Sequence, residues 1–447
     1  MLGFPQTMRV PHQRWGITQN NLLNCKIIDV ILQFMITTAI QQHKTERDQN
    51  LTAATIPREL LAATLPVMDS RLIKVITGPR RAGKSVFAFQ LLQGQNFGYV
   101  NFDDERLAGL TDFDELLKAV TVTYGQVTTL LFDEIQNLPS WELIVNRLQR
   151  QGYSLVITGS NAHLLSRELG THLTGRYQEC RLLPFSFREY LAAKQVDQNN
   201  TSLIRHHFDC WLHTGGYPEV VVNNTALETY LPTLFDSILF KDIVRRYRVK
   251  YPQKIHELAL YLTTNHSCEY TANAIKGSLG FRSSHTVENY TSYLIESFLI
   301  FSVERYSTKL KELLKAPRKA YSIDLGLIEA IKFKQQSDTG RLLENAVALE
   351  LFRKEQDFFS YKTTGGKEVD FVVRKGLVID ELIQVSLDTT APKTLKRELS
   401  ALDVAASELS CTTLTVLTGN ETWQRQAGSL QVQAMPVWQW MLDKTSQ

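Results

Sequence analysis

Residues 72–91 constrain the chain more than any other stretch. Leu72 to Thr77 reads L-I-K-V-I-T, an apolar and β-branched run that predicts a buried strand. It passes directly into G-P-R-R-A-G-K-S at Gly78 to Ser85, after which V-F-A-F-Q-L-L begins a helix. Strand, glycine loop and helix together form the setting in which G-x-x-x-x-G-K-[ST] wraps a phosphate chain. Gly78 and Gly83 let the backbone turn its N–H groups inward. Pro79, Arg80, Arg81 and Ala82 lie between them, Val86 follows, and the helix N-terminus adds the positive end of its dipole. Lys84 can reach the β- and γ-phosphates, and the Ser85 hydroxyl is placed for Mg²⁺, so ATP and Mg²⁺ are the implied ligands.

A loop of this kind binds nucleotide without hydrolysing it, so a metal acid and a water-activating group are needed elsewhere. Thr129 to Glu134 reads T-L-L-F-D-E, a central strand whose C-terminal end would border the crevice. Asp133 then suits Mg²⁺, held through water, and Glu134 suits the attacking water. Phe97 to Phe102 and Ser154 to Gly159 add strands before and after the acid strand, the order of an inserted-strand, catalytic-glutamate ATPase. Ser160 and Asn161 end the latter strand, where one of the two would hydrogen-bond water or γ-phosphate; as turn formers they would instead bond the local backbone. Arg176 in L-T-G-R-Y is the candidate cation for charge developing on the phosphoryl group, in cis or across a subunit boundary, with an exposed structural arginine as the rival reading.

With 447 residues the chain should make about three domains of roughly 150 residues each. A net charge of +3 announces no nucleic-acid partner by itself, so any such site must be local. Cys25, Cys180, Cys210, Cys268 and Cys411 are odd in number and lack zinc or disulfide spacing, as expected of reduced thiols in a cytoplasm. The apolar run from Val30 to Ile40 is interrupted by Gln33 and is shorter than the ~20 residues a membrane span needs. Leu22, Leu23, Ile27, Ile31 and Ile36 instead suit one face of an amphipathic helix.

These segments, together with Y-V-N-F-D-D-E, L-L-P-F-S-F-R-E-Y-L, G-G-Y-P-E-V, K-E-V-D-F-V-V and L-I-Q-V-S, form an ordered set from about Ile56 to Asp388. The set resembles bacterial and archaeal P-loop ATPases of the AAA+ superfamily that carry a degenerate restriction-endonuclease-like domain at the C-terminus. The resemblance implies an α/β fold: a P-loop parallel sheet, a helical lid, a winged helix and a C-terminal α/β restriction-endonuclease-like domain. It also implies ATP binding and hydrolysis, but no substrate.

The expected divisions are a helical N-terminal extension at 1–55, the ATPase at 56–192, a lid at 193–250, a winged helix at 251–320 and the endonuclease-like domain at 321–447. A DNA-reading winged helix would expose Arg282, Ser283, Ser284, His285 and Asn289 at a helix start, with Arg305, Lys309, Lys311, Lys315, Arg318 and Lys319 along the wing. Alternatively those cations form a solvated face interleaved with Glu304 and Glu312, and the module packs on the ATPase.

In the C-terminal domain Glu344 and Asp370 match the first two metal acids of the endonuclease-like site. Gln384 and Ser386 stand where a further acid and a lysine belong. A neutral amide is a weak metal ligand and serine carries no charge, so nuclease chemistry is not expected unless Lys362 or Lys367 takes over the role. The leading expectation is a Mg²⁺-dependent ATPase, homo-oligomeric if Arg176 acts in trans, that rearranges its winged-helix and C-terminal domains, with DNA as a candidate partner. The alternatives are a nucleic-acid-binding protein using ATP as a switch and a metal-dependent nuclease.

Overall fold

The computed structural model describes residues 19–110, 112–160, 175–332 and 338–443. Its first sheet holds β1 (Ile73–Thr77), β2 (Phe97–Asn101), β3 (Thr129–Asp133), β4 (Ser154–Gly159) and β5 (Tyr177–Arg181) in the order β2-β3-β4-β1-β5. Every neighbouring pair is parallel. β1 is buried along its whole length, as its apolar run predicts, because helices cover both faces of the sheet. β4 lies between the loop strand and the acid strand, so the C-terminal ends of β1, β3 and β4 share one edge. The result is a mixed α/β protein with the five-stranded parallel sheet of P-loop nucleoside triphosphatases.

The N-terminal segment is no loose appendage. Helix Gln19–Thr52 buries Ile36, Ala39 and Ile40 in the core of this sheet, and its His43 Nε2 lies 3.0 Å from Asp104. The expected apolar face is therefore met at Ile36; the side chains at 22, 23, 27 and 31 lie outside the described residues. No described helix is long and apolar enough to cross a membrane.

After β5 come helices Phe187–Ala193, Thr201–Thr214, Pro218–Asn223 and Leu227–Ser237, the last continuing as a π-helical stretch, Ile238–Val244. Helices Pro252–Thr264, Ala272–Leu279 and Ser284–Glu296 accompany a three-stranded sheet of β6 (Cys268–Tyr270), β7 (Ile300–Val303) and β8 (Arg318–Ser322), ordered β6-β8-β7. The C-terminal sheet has six strands, β9 (Asp357–Lys362), β10 (Glu368–Lys375), β11 (Val378–Ser386), β12 (Leu414–Thr418), β13 (Trp423–Ala427) and β14 (Leu430–Pro436), in the order β13-β14-β12-β11-β10-β9. Helices Thr339–Arg353 and Pro392–Leu409 pack on it, and the final helix Val437–Leu442 lies against β12 and β14.

The G-G-Y-P turn explains how these parts hold together. Gly215, at φ 71°, brings its Cα so close to Asp324 that a Cβ would lie 2.2 Å from Oδ1; at Gly216 a Cβ would lie 2.2 Å from the Phe185 carbonyl oxygen. Asp324, fully buried, accepts hydrogen bonds from the Gly216 and Leu327 N–H groups. Burial pushes its carboxyl up to about 6. The motif thus seals a three-way junction between the segment that follows β5, the helices after it and the strand-to-helix turn after β8.

Candidate active site

The phosphate loop leaves β1 at Gly78, whose φ of 148° and lack of a Cβ let it pass against the Leu182 backbone, where a Cβ would meet the carbonyl oxygen at 2.0 Å. Helix Lys84–Leu91 starts at Gly83, also in the left-handed region. Lys84 is buried, and its Nζ donates to the Gly78 and Pro79 carbonyls at 3.2 and 3.1 Å, with Glu134 Oε1 at 3.9 Å.

The acid pair sits at the end of β3. Asp133 is almost wholly buried, and desolvation raises its pKa against the opposing hydrogen bonds of Thr158 and Ser85. Glu134 follows in the left-handed conformation, φ 49°, which carries it out of the strand. Thr158 on β4 ties the two together: its hydroxyl donates to Asp133 and accepts from the Glu134 N–H at 3.0 Å. On the other side Tyr99 OH lies 3.3 Å from Asp133 Oδ2 and 3.3 Å from Glu46 Oε1 of the N-terminal helix. Ser160, directly after β4, is buried, and among the described residues its hydroxyl has no hydrogen-bond partner. Asn161 lies outside the described residues.

Lys84, Ser85, Asp133, Glu134 and Ser160 are therefore gathered at one sheet edge. Arg176 is not. It precedes β5, and the alignment of Tyr177 with Ile73 puts it at the edge where β1 begins, five strand residues or roughly 16 Å from the loop. It is exposed there, with its carbonyl accepting from Ile73 N–H. Action on the phosphate of its own chain does not fit this placement.

Two contacts on the loop escape any local reading of the sequence. The buried Arg58 guanidinium donates to the Ala82 carbonyl at 3.0 Å and the Leu183 carbonyl at 2.5 Å, and to Glu189 at 2.9 Å, fixing the loop from behind. Arg80 forms a two-pronged pair with Asp242, 3.1 Å at each prong, which joins the loop to the π-helical stretch. Only the unusual density of arginines near the glycine loop hinted at such anchors.

The second group of candidates meets in the C-terminal domain. Glu344 and Asp370 come together with Gln384 on the wall of a cavity of about 1020 Å³. Burial and the nearby Asp370 raise Glu344 to about 7. Among the described residues no three His, Cys, Asp or Glu side chains are arranged to hold a metal ion. Lys367 binds Ser400 and Lys362 does not line the cavity, so neither supplies its central cation. Lys319 does. Expected along an exposed wing, it is buried instead, because β8 turns it inward onto Glu344, Glu368 and Asp370. Of the other five wing cations, Arg305, Arg318 and Lys309 pair with Glu269, Glu304 and Glu312, the solvated arrangement, and Lys311 and Lys315 are exposed.

The AAA domain family model matches residues 70–191. Two families of unknown function match 205–338 and 339–440. An uncharacterized protein of Haemophilus influenzae is 33% identical over 77% of this chain and 89% of its own length. One of Methanocaldococcus jannaschii is 31% identical over 83% and 88%. A Walker-type ATPase of Pyrococcus abyssi aligns over 62% of this chain and 96% of its own, at 13% identity and a TM-score of 0.42.

Proposed function

We propose that the chain, which belongs to one family with these two relatives and matches the AAA domain model over 70–191, is an ATPase whose hydrolytic site is the shared edge of β1, β3 and β4. The observation that carries this reading is the single hydrogen-bonded unit of Ser85, Asp133, Thr158 and Glu134 beside the Lys84 ammonium. The main-chain N–H groups from Gly78 to Ser85 receive the phosphates, and Lys84 exchanges its two loop carbonyls for phosphate oxygens. The hard oxygens of Ser85 and Asp133 fit Mg²⁺, which when bound neutralises phosphate charge. Glu134 orients the attacking water and takes its proton, and the unpartnered Ser160 hydroxyl marks the γ-phosphate or water. Arg176, at the far edge, serves the site of a neighbouring subunit, which makes the active form a homo-oligomer.

The C-terminal sheet, in this reading, is a restriction-endonuclease-like scaffold without nuclease activity, because Gln384 and Ser386 replace its charged groups. Hydrolysis reaches it through the lid, by way of the Arg80–Asp242 pair. Exposed Arg282 and His285, at the start of the helix that Ser283 caps, favour DNA as the surface on which this motion acts. The deciding measurement is ATP turnover against protein concentration, with and without duplex DNA. Specific activity should rise with concentration and with DNA. Turnover that survives Lys84→Ala removes the enzyme reading, and a rate indifferent to concentration removes the shared site.

A further inference from the structure

One basic stretch of the chain has no acid to answer it. Lys241, Arg245, Arg246, Arg248 and Lys250 put five cations into ten residues, across the π-helical stretch and the turn that follows. Asp242, the only acid among those ten, is buried and already paired with Arg80. Lys241, Arg245, Arg248 and Lys250 are exposed, and among the described residues none of the five cations has an ion-pair partner. Arg246 is half-buried, and its Nη1 is sealed from solvent with no hydrogen-bond partner among the described residues. A charged donor in that state costs more than a neutral one, so an anion is what would satisfy it. The wing cations Arg305, Arg318 and Lys309, each set against a glutamate, show the opposite arrangement.

The stretch also has a direction. It starts beside the phosphate loop, where Asp242 holds Arg80. Tyr247 then stacks on Tyr293 with ring centroids 4.0 Å apart, and its hydroxyl donates to Glu296. Further on, the Tyr251 main chain hydrogen-bonds the Tyr290 hydroxyl, and Lys254 Nζ reaches the Leu279 carbonyl at 2.6 Å. These contacts follow helix Ser284–Glu296 from its C-terminal end back past its start, so the cations lead from the nucleotide pocket toward exposed Arg282. A guanidinium fork matches phosphate oxygens, and a row of unpaired cations gains most from a polyanion, whose counterions it releases. A single small anion would leave most of the row unused.

We propose that residues 241–250 form a sequence-independent tract for the sugar-phosphate backbone of DNA, running from the phosphate loop toward the helix start that Ser283 caps. The tract rests on the DNA reading above and adds a second surface to it, with separate residues. Lys241, Arg245 and Arg248 hold the backbone and fix its register, while Arg282 and His285 stand where base edges are met. Because Asp242 lies within the tract and holds Arg80, a bound backbone sits one ion pair away from the loop that receives the nucleotide.

Anisotropy of a fluorescein-labelled DNA duplex, titrated with the full-length, nucleotide-free protein at several salt concentrations, tests the tract. Wild type should bind, with log affinity falling linearly against log salt. Lys241→Gln, Arg245→Gln and Arg248→Gln combined should weaken binding at least ~10-fold at low salt and reduce that slope by about 3, while ATP affinity stays at the wild-type value. Taken singly, each substitution reduces the slope by about 1, which keeps the test open if the triple variant does not fold. Arg245→Lys with Arg248→Lys should keep the wild-type slope, since the charges remain. A triple variant that binds duplex as wild type does overturns the tract and leaves the DNA reading at Arg282 standing. A loss of ATP affinity in place of DNA affinity assigns the cations to the nucleotide and overturns it as well. A wild type that binds no duplex at low salt removes both.

Discussion

The chain places an acid pair beside a lysine twice, and the two lysines are held in opposite ways. In the ATPase sheet, Lys84 comes from the loop it serves and rests on two carbonyl oxygens, with the nearer acid 3.9 Å off. Neutral carbonyls are easily exchanged for phosphate oxygens, so its charge remains available. In the C-terminal domain, Lys319 arrives from another domain and is spent on three carboxylates between 2.7 and 3.5 Å. Residue type alone does not separate a reactive lysine from a structural one. What separates them is whether the resting partners carry the opposite charge.

The contrast is tested most severely at Lys84. Lys84→Ala should lose nucleotide binding in an ATP titration, with turnover down by about a thousandfold or more. Arg176→Ala should lower turnover by a similar order while leaving affinity intact. Mixing it with Glu134→Gln should restore part of the rate, since each subunit then supplies what the other lacks. Glu134→Gln alone should slow hydrolysis by about a hundredfold at unchanged affinity, read by single-turnover kinetics. Away from chemistry, Gly215→Ala would drive a Cβ into Asp324 and should cost about 4 kcal/mol in denaturant unfolding.

The smallest effect concerns His266, just before β6 and close to Arg341 on the cavity wall. Burial, with Arg341 second, lowers it to about 4. The folded protein thus prefers the neutral ring. That preference stabilises the fold above the unfolded value of 6.5 and is lost as pH falls through about 4, a change of at most about 3 kcal/mol. His266→Gln should flatten the stability curve over that window. No change of slope would show that the region opens before the ring titrates.

The glycine loop, the acid strand and the strand between them were legible because each depends on neighbours within a few residues. Gly78, Gly83 and the D-E pair demand one local geometry and declare it in order. Lys319 was misread for the same reason: in R-K-A-Y-S it looks like any wing cation, and only the packing of β8 against residues 25 to 51 positions away turns it inward. Arg58, 131 residues from Glu189, is equally silent in one dimension. The strand Trp423–Ala427 carries little signal because Q-R-Q is a polar run on the edge strand of its sheet, and Leu430–Pro436 inside it shows only the short alternation L-Q-V-Q. Arg176 was legible as a candidate, but its side of the sheet was not, since that depends on β5 running parallel to β1.

The tie between Arg80 and Asp242 has a mechanical consequence. Asp242 is buried in a π-helical stretch, a rarer and wider turn than the α-helix that it continues. Any ligand that draws Arg80 aside must either break two charged hydrogen bonds or pull that turn along with it. The phosphate loop thus has a tendon attached, and the muscle it works on lies 162 residues further down the chain.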